Sequence, residues 1–555
     1  MTRRPLLQLL VASTALIFSL GAAPPPAVGR AGMVAADHPL CSEAAASVLA
    51  KGGNAVDGAV AAALACGVVQ PSSSGLGGGG FAVVVPPSGD PAVLDFRETA
   101  PAAATRDMFV ADGVSDDAST RGGLAVGVPG EPAGLAELHH RWGALPLRVV
   151  AAPAARLARE GFEAGPHLAH ALQSKGELGV TLSRALYSAA SPERGDRVRN
   201  PALARTIDAW ARSGGTALSE GPLARRVVAS AQAAGGVLTA ADLAAYTPRD
   251  RAPVVGSYRG WTVVTMPPPS SGGVVLLQIL SVLEATDLAA EGHNSAAYVH
   301  RLAEAMQHAF ADRARTMGDP DRVEVPVDAL LSDARVAEVR QRFVPSRTFD
   351  AGWYGMAIDV GRDAGTQHIS VLDRDGLAVA LTTTVNTSFG SKVVVPGVGV
   401  VLNNEMDDFV ARPGEPNAFG LVGSEANAVA PGARPLSSMS PTVLISPDGR
   451  ERIVVGASGG PFIISSTLQV ILNLIDFEMD PSTAVSVPRM HHQWQPQLLF
   501  LDAGYPVDTV ELLEARGHAT KSMPFFSAVQ VIHAADGRAL GASDPRKGGW
   551  PVGVR

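Results

Sequence analysis

Few arrangements in this 555-residue chain place reactive side chains at a useful spacing. Gly456-Ala457-Ser458-Gly459-Gly460 fits Gly-x-Ser-x-Gly between an expected strand and an expected helix, with Asp480 and His491 downstream in the order of a serine triad. There a sharp turn would present the Ser458 hydroxyl to a histidine base. Gly365-Thr366 offers a second nucleophile, at the start of an expected strand and after an irregular stretch. A hydroxyl is a weak nucleophile at its own pKa and needs a base. A cut before Thr366 would leave a free α-amine beside the hydroxyl, and an α-amine of pKa about 7.7–8.0 takes a proton near neutrality. His300, Glu304 and His308 fall at i, i+4 and i+8 on one face of an expected helix. That face could bind a metal, and the polar side of a helix is the simpler reading. Other templates fail. There is no His-Glu-x-x-His pair, and the glycines of Gly75-x-Gly77-x-x-Gly80 lead into a strand, unlike a dinucleotide or phosphate loop, which opens a helix. The acids form no glycosidase pair.

The elements that must hold these residues are legible in outline. Ala36 to Val69 reads as two alanine-rich helices broken at Gly52-Gly53-Asn54, and the glycine run ending at Gly80 precedes a strand, Phe81 to Val85. Residues 130 to 245 are mostly helical. Thr262 to Met266 is a strand, Pro267 to Gly273 is a rigid loop leading into a helix, and 294 to 317 is another helix. An irregular linker, 345 to 365, precedes two strands, His368 to Leu372 and Leu377 to Val385, joined at Arg374-Asp375-Gly376. A third strand is expected at Val398 to Leu402. The aperiodic stretch 410 to 435 is long enough for a lid or binding loop. Ile453 to Val455 is a strand, and Phe462 to Leu474 is a helix after the glycine turn.

Composition bounds the function. Hydrophobic residues make up 46% and charged residues 18%, enough apolar material for a large core, which excludes global disorder. The net charge of −8 argues against an electrostatic nucleic-acid binder. Two cysteines exclude a disulfide scaffold and a cysteine-built zinc or iron–sulfur site. Cys41 and Cys66 both lie in alanine-rich helical sequence, and nothing sets them at bridging distance, so two buried free thiols are expected.

Residues 1–30 read as a signal peptide and linker. Arg3 and Arg4 are followed by an apolar run, Leu6 to Leu20, and by the small residues Gly21-Ala22-Ala23. The run is short for a spanning helix, and Pro24-Pro25-Pro26 cannot continue one. The protein is expected to be exported, periplasmic or secreted, with no membrane span after signal removal. Thr2 to Leu7 also resembles a twin-arginine signal, and an uncleaved anchor is the alternative.

Several segments taken together resemble one family. Gly32-Met33-Val34-Ala35-Ala36-Asp37-His38-Pro39-Leu40, Gly52-Gly53-Asn54-Ala55-Val56-Asp57 and Gly75-Leu76-Gly77-Gly78-Gly79-Gly80-Phe81 are similar to the opening of the γ-glutamyltranspeptidase family. Arg97-Glu98-Thr99-Ala100-Pro101 and Gly127-Val128-Pro129-Gly130 follow. Thr366-Gln367-His368-Ile369-Ser370-Val371 resembles the nucleophile motif. Asn403 to Phe409, Arg434 to Pro441 and Ala542-Ser543-Asp544-Pro545-Arg546 complete a match that runs in order from Gly32 to Arg546. In this light Gly456 to Gly460 resembles the family's oxyanion loop.

The resemblance implies an α/β or α+β N-terminal-nucleophile hydrolase with a four-layer αββα sandwich. It implies a precursor that cuts itself between Gly365 and Thr366, giving a large subunit, 31–365, and a small one, 366–555. Thr366 would attack the γ-amide of a donor such as glutathione, with its own α-amine as base. The γ-glutamyl group would pass to water, an amino acid or a dipeptide. Thr384 would hold the nucleophile's rotamer, and Gly459 and Gly460 would present N–H groups to the oxyanion. Arg97 would grip the donor α-carboxylate, assisted by Ser437 and Ser438. Asn386, Glu405 and Asp408 would accept from the donor α-ammonium. The resemblance calls for no cofactor and no metal.

Three positions depart from the family pattern. Gln367 stands where a small residue is common. Phe419 stands in the lid loop where bacterial relatives often carry Tyr, which removes a gate hydrogen bond to Asn386. Pro461-Phe462 replaces a frequent Ser-Arg after the glycine pair. The alternatives are a cephalosporin or glutaryl acylase of the same fold and a non-catalytic protein that binds γ-glutamyl compounds.

Overall fold

The computed structural model describes residues 23–355, 365–411, 417–419, 421–524 and 527–555. The expected signal segment up to residue 22, the last part of the linker (356–364) and part of the long loop (412–416 and 420) lie outside the described residues.

Two seven-stranded sheets face one another. The first runs Val552–Val554, Gly32–Ala36, Gly365–Asp373, Ala378–Asn386, Gly79–Val85, Ala92–Phe96, Arg249–Arg251. The second runs Ala27–Gly29, Arg538–Ser543, Ala528–Ala535, Arg452–Ser458, Thr442–Ile445, Trp261–Thr265, Val254–Tyr258. Helices cover both outer faces, so the layers are those of the expected αββα sandwich. Strand side chains alternate between faces. Along Gly79–Val85, Phe81, Val83 and Val85 join the core between the sheets, while Ala82 and Val84 join the core beneath the helices.

The helix layer over the first sheet comprises Pro39–Leu49 and Ala55–Val69. Every residue of the second helix is buried, and its alanines let it lie close to its neighbours. Asn54 starts it with a reciprocal capping box to Asp57. Close packing of these two helices corrects the cysteine expectation: Cys41 and Cys66 form a disulfide, with Cα atoms 5.3 Å apart. Small side chains between the helices bring the pair into reach, a distance that a sequence separation of 25 does not disclose.

Gly272–Leu283 and Phe462–Ile475 pack against the second sheet, and Ala296–Thr316 packs on the first of these helices. Between the sheets sits the His368 ring, held by Thr382 Oγ1 at 2.7 Å and Ser370 Oγ at 3.1 Å. Gly456 opposes it, and a Cβ there would meet the ring at 2.3 Å, so this position of the second sheet has to be glycine.

The expected third strand, Val398 to Leu402, is not one. Only an isolated bridge joins Val394 to Val401. Gly397 and Gly399 take φ of +74° and +76°, which turns the chain despite the β-branched residues around them. Among the described residues no helix is long and apolar enough to cross a membrane.

Candidate active site

The two central strands of the first sheet position the nucleophile. Gly365 pairs with Asn386 and Gln367 with Thr383, so the register slips by one residue: Thr384 and Val385 form a bulge on the partner strand, and Thr366 stands opposite it. A bulge turns a side chain out of the regular pleat and is a common device beside reactive centres. The Thr366 hydroxyl lies 3.1 Å from that of Thr384. Both hydroxyls donate to the Gly365 carbonyl oxygen, at 2.6 Å and 2.7 Å. Thr384 Oγ1 also accepts from the Asn386 N–H at 2.8 Å, which fixes its rotamer.

The opposite wall is charged. Arg97, 1% exposed, is bonded to Glu405 and Asp408, and its Nε donates to the Pro435 carbonyl at 3.1 Å. It is a buried ion pair in which the acids expected to receive the ammonium already meet the arginine expected to receive the carboxylate. Glu98 lies alongside, 3.9 Å from the guanidinium. Burial pushes its carboxyl up to about 8 against the pull of Arg97. Burial likewise raises Glu405 and Asp408, with Arg97 opposing in both cases.

Thr366, Thr384, Asn386, Arg97, Glu405, Asp408, Ser437, Ser438 and Gly460 together line one cavity of about 20 Å³. Gly459 adjoins it at the end of the strand Arg452–Ser458. Both glycines have positive φ, +125° and +60°. A Cβ on Gly460 would meet the Phe419 ring at 2.7 Å, and one on Gly459 would meet the Ser527 Cα at 2.8 Å. Phe419 therefore packs over the candidate oxyanion turn. Asn386 Nδ2 donates to the Asn404 carbonyl at 3.0 Å. Gln367 is fully buried and donates to Gln70 Oε1 at 3.0 Å.

The serine-triad arrangement is not formed. Asp480 caps the helix Pro481–Ser486, and His491 Nδ1 bonds Ser465 Oγ at 2.8 Å. Ser458 Oγ instead accepts from Lys547 at 3.2 Å.

Lys547 is the residue that the motif reading misses. Its ammonium bonds the Thr366 carbonyl oxygen and Asp37 Oδ2, the latter at 2.7 Å, with only 7% of its side chain exposed. Asp37 is fully buried, and Gln530 donates to its other oxygen at 2.6 Å. The available signal is slight: Lys547 is one of five lysines in the chain and follows directly on Asp544-Pro545-Arg546.

A threonine at a strand end, opposite a bulge and inside two facing sheets enclosed by helices, defines the N-terminal-nucleophile hydrolase class. The comparisons narrow it. A family profile described as gamma-glutamyltranspeptidase matches residues 41–554. The chain is 40% identical to the glutathione hydrolase proenzyme of Escherichia coli K12, over 95% of each. The cephalosporin acylase of Bacillus halodurans superposes with a TM-score of 0.85 at 28% identity, over 98% of this chain and all of that one. The γ-glutamyltranspeptidase of Helicobacter pylori gives 0.54 at 38% identity, over 56% of this chain and 91% of that one. The chain belongs to the γ-glutamyltranspeptidase family, and its activity is γ-glutamyl transfer and hydrolysis.

Proposed function

We propose that the chain is an exported precursor that cuts itself at Gly365–Thr366 and then moves the γ-glutamyl group of glutathione-like donors to water, an amino acid or a dipeptide. In the first step Thr366 Oγ bonds to the Gly365 carbonyl carbon, the Gly365–Thr366 C–N bond breaks, and the hydroxyl proton passes to the departing amine. Water then hydrolyses the ester. The observation that carries this reading is the pair of hydroxyls on the Gly365 carbonyl oxygen. They polarise the bond to be attacked and hold the nucleophile against it. The E. coli relative is named as a proenzyme, which supports it.

In turnover the freed α-amine takes the Thr366 proton as Oγ attacks the donor γ-carbonyl. The Gly459 and Gly460 N–H groups receive the oxyanion, and losing such a donor typically costs about 10²–10³ in rate. The leaving amine takes the proton, and the γ-glutamyl ester passes to water or an acceptor amine. Recognition proceeds by partner exchange. The donor α-carboxylate goes to Arg97, Ser437 and Ser438, and the α-ammonium goes to Asn386, Glu405 and Asp408. Charges already present in the cavity are re-paired, and no isolated charge is buried.

The test is a denaturing gel of purified protein alongside an assay with a γ-glutamyl anilide. Two fragments and released aniline are expected, and a permanently single, inactive band rejects the proposal. The likeness to a cephalosporin acylase favours a second substrate class, glutaryl amides. Their turnover, with none of γ-glutamyl amides, would establish it.

A further inference from the structure

His300 and Glu304 stand one turn apart on the helix Ala296–Thr316, on the same face. His518 reaches them from the turn between the helix Val507–Glu514 and the strand Thr520–Met523. One nitrogen of each imidazole and one oxygen of Glu304 lie within 4.8 Å of one another. The side chains are 1%, 3% and 4% exposed for His300, Glu304 and His518. His308, on the same helix, turns away and packs edge-on against the Tyr354 ring, 4.9 Å between centroids.

The hydrogen bonds around this group orient it. His300 Nε2 lies 2.9 Å from the Val344 carbonyl oxygen. A carbonyl can only accept, so Nε2 carries the proton and Nδ1 of the neutral ring presents its lone pair to His518 Nε2, 2.7 Å away. A ring N–H donated to a backbone carbonyl is the outer bond that fixes tautomer and orientation in metal-ligating histidines. Glu304 is steadied in the same way, accepting from Thr348 at 2.6 Å, Tyr354 at 2.7 Å and Gln307 at 3.1 Å. A cavity of about 190 Å³, lined by Glu304, His308, Arg301 and Phe343 but by neither His300 nor His518, adjoins the group on the Glu304 side and has room for a water.

We propose that His300, Glu304 and His518 form a binding site for a divalent metal of the zinc class. Two imidazoles and a carboxylate suit Zn²⁺, with a water as fourth ligand. Ligand bonds of about 2.0–2.2 Å require only a small closing movement of Glu304 and a slight parting of the two rings. The His518 proton moves from Nε2 to Nδ1, so both facing nitrogens become ligands and no charge changes. His300 and Glu304 precede Gly365 and His518 follows it, so in the cut protein the metal would staple the large subunit to the small one. That consequence rests on the proposed processing, whereas the binding does not.

The experiment uses full-length protein, freed of metal with a chelator, desalted and titrated with Co²⁺ and then Zn²⁺. About one equivalent per chain should survive gel filtration by elemental analysis. Co²⁺ should give the visible d–d bands of a four-coordinate site, and Zn²⁺ should abolish them. His518→Ala and His300→Ala should each weaken uptake by at least about 100-fold, while His308→Ala keeps it. The uncut Thr366→Ala variant should bind as the wild type does, which separates this proposal from self-processing. Wild-type protein that retains no metal overturns the site, as does equal uptake by His518→Ala. If the alanine variants fail to fold, the wild-type titration alone decides.

Discussion

The two ends of the Thr366 cavity are made of different materials. At one end, Thr366, Thr384 and the Gly365 carbonyl form a cluster of neutral groups whose geometry comes from strand register and a bulge. At the other, Arg97 is buried among Glu98, Glu405 and Asp408, where charge dominates. The contrast separates chemistry from recognition. The neutral end should govern chain cutting and kcat, and the charged end should govern KM.

Substitutions can break that division. The largest effect belongs to Thr366→Ala, which removes the attacking oxygen of both reactions. It should give a single uncut band and no turnover, and normal maturation would contradict the assignment. Thr384→Ala leaves the nucleophile without its partner and should lower kcat by about 10²-fold and slow cutting, with KM little changed. A rise confined to KM would move Thr384 to the recognition end. Arg97→Lys replaces a planar fork with a point charge and should raise the donor KM about 10- to 100-fold at an unchanged cutting rate. An unaltered KM would remove Arg97 from the site. Ser438→Ala removes one neutral donor and should raise KM only about 3- to 10-fold.

Glu131 sharpens the comparison from outside both ends. It is buried beneath the glycine run, accepts one N–H from Gly75 at 3.3 Å, and burial pushes its carboxyl up to about 8. The folded chain therefore keeps a proton that the unfolded chain releases near pH 4.5. This contribution to stability is complete below about pH 4.5 and is lost as the pH rises toward 8, by at most about 1.4 kcal/mol per pH unit. Glu131→Gln should flatten the fall of Tm between pH 5 and 8 and leave KM alone. A slope identical to the wild type would refute the assignment.

How much of this was legible depended on the kind of contact. The strands around Thr366 alternate or carry β-branched runs, and turn residues separate them, so the hairpin could be read residue by residue. The cavity residues were placed through motifs, each only a few residues long and given meaning by order and spacing. Contacts that depend on how distant elements pack were not legible. The Cys41–Cys66 bond follows from two helices lying close together. Lys547 reaches Thr366 and Asp37 from near the far end of the chain as a single residue with no periodicity around it. The Val398–Leu402 run misled for the opposite reason, because its valines favour a strand while Gly397 and Gly399 bend it into a turn. Ser458, Asp480 and His491 matched a template in letters alone, and their partners in the fold are Lys547, a helix N-terminus and Ser465.

The most direct measurement is N-terminal sequencing of the active enzyme's fragments. One fragment should begin Thr366-Gln367-His368, with the other ending at Gly365 by mass. Full activity from a chain whose Gly365–Thr366 bond is intact, or a small fragment with a different first residue, would contradict the central claim that one threonine supplies both the attacking oxygen and the base.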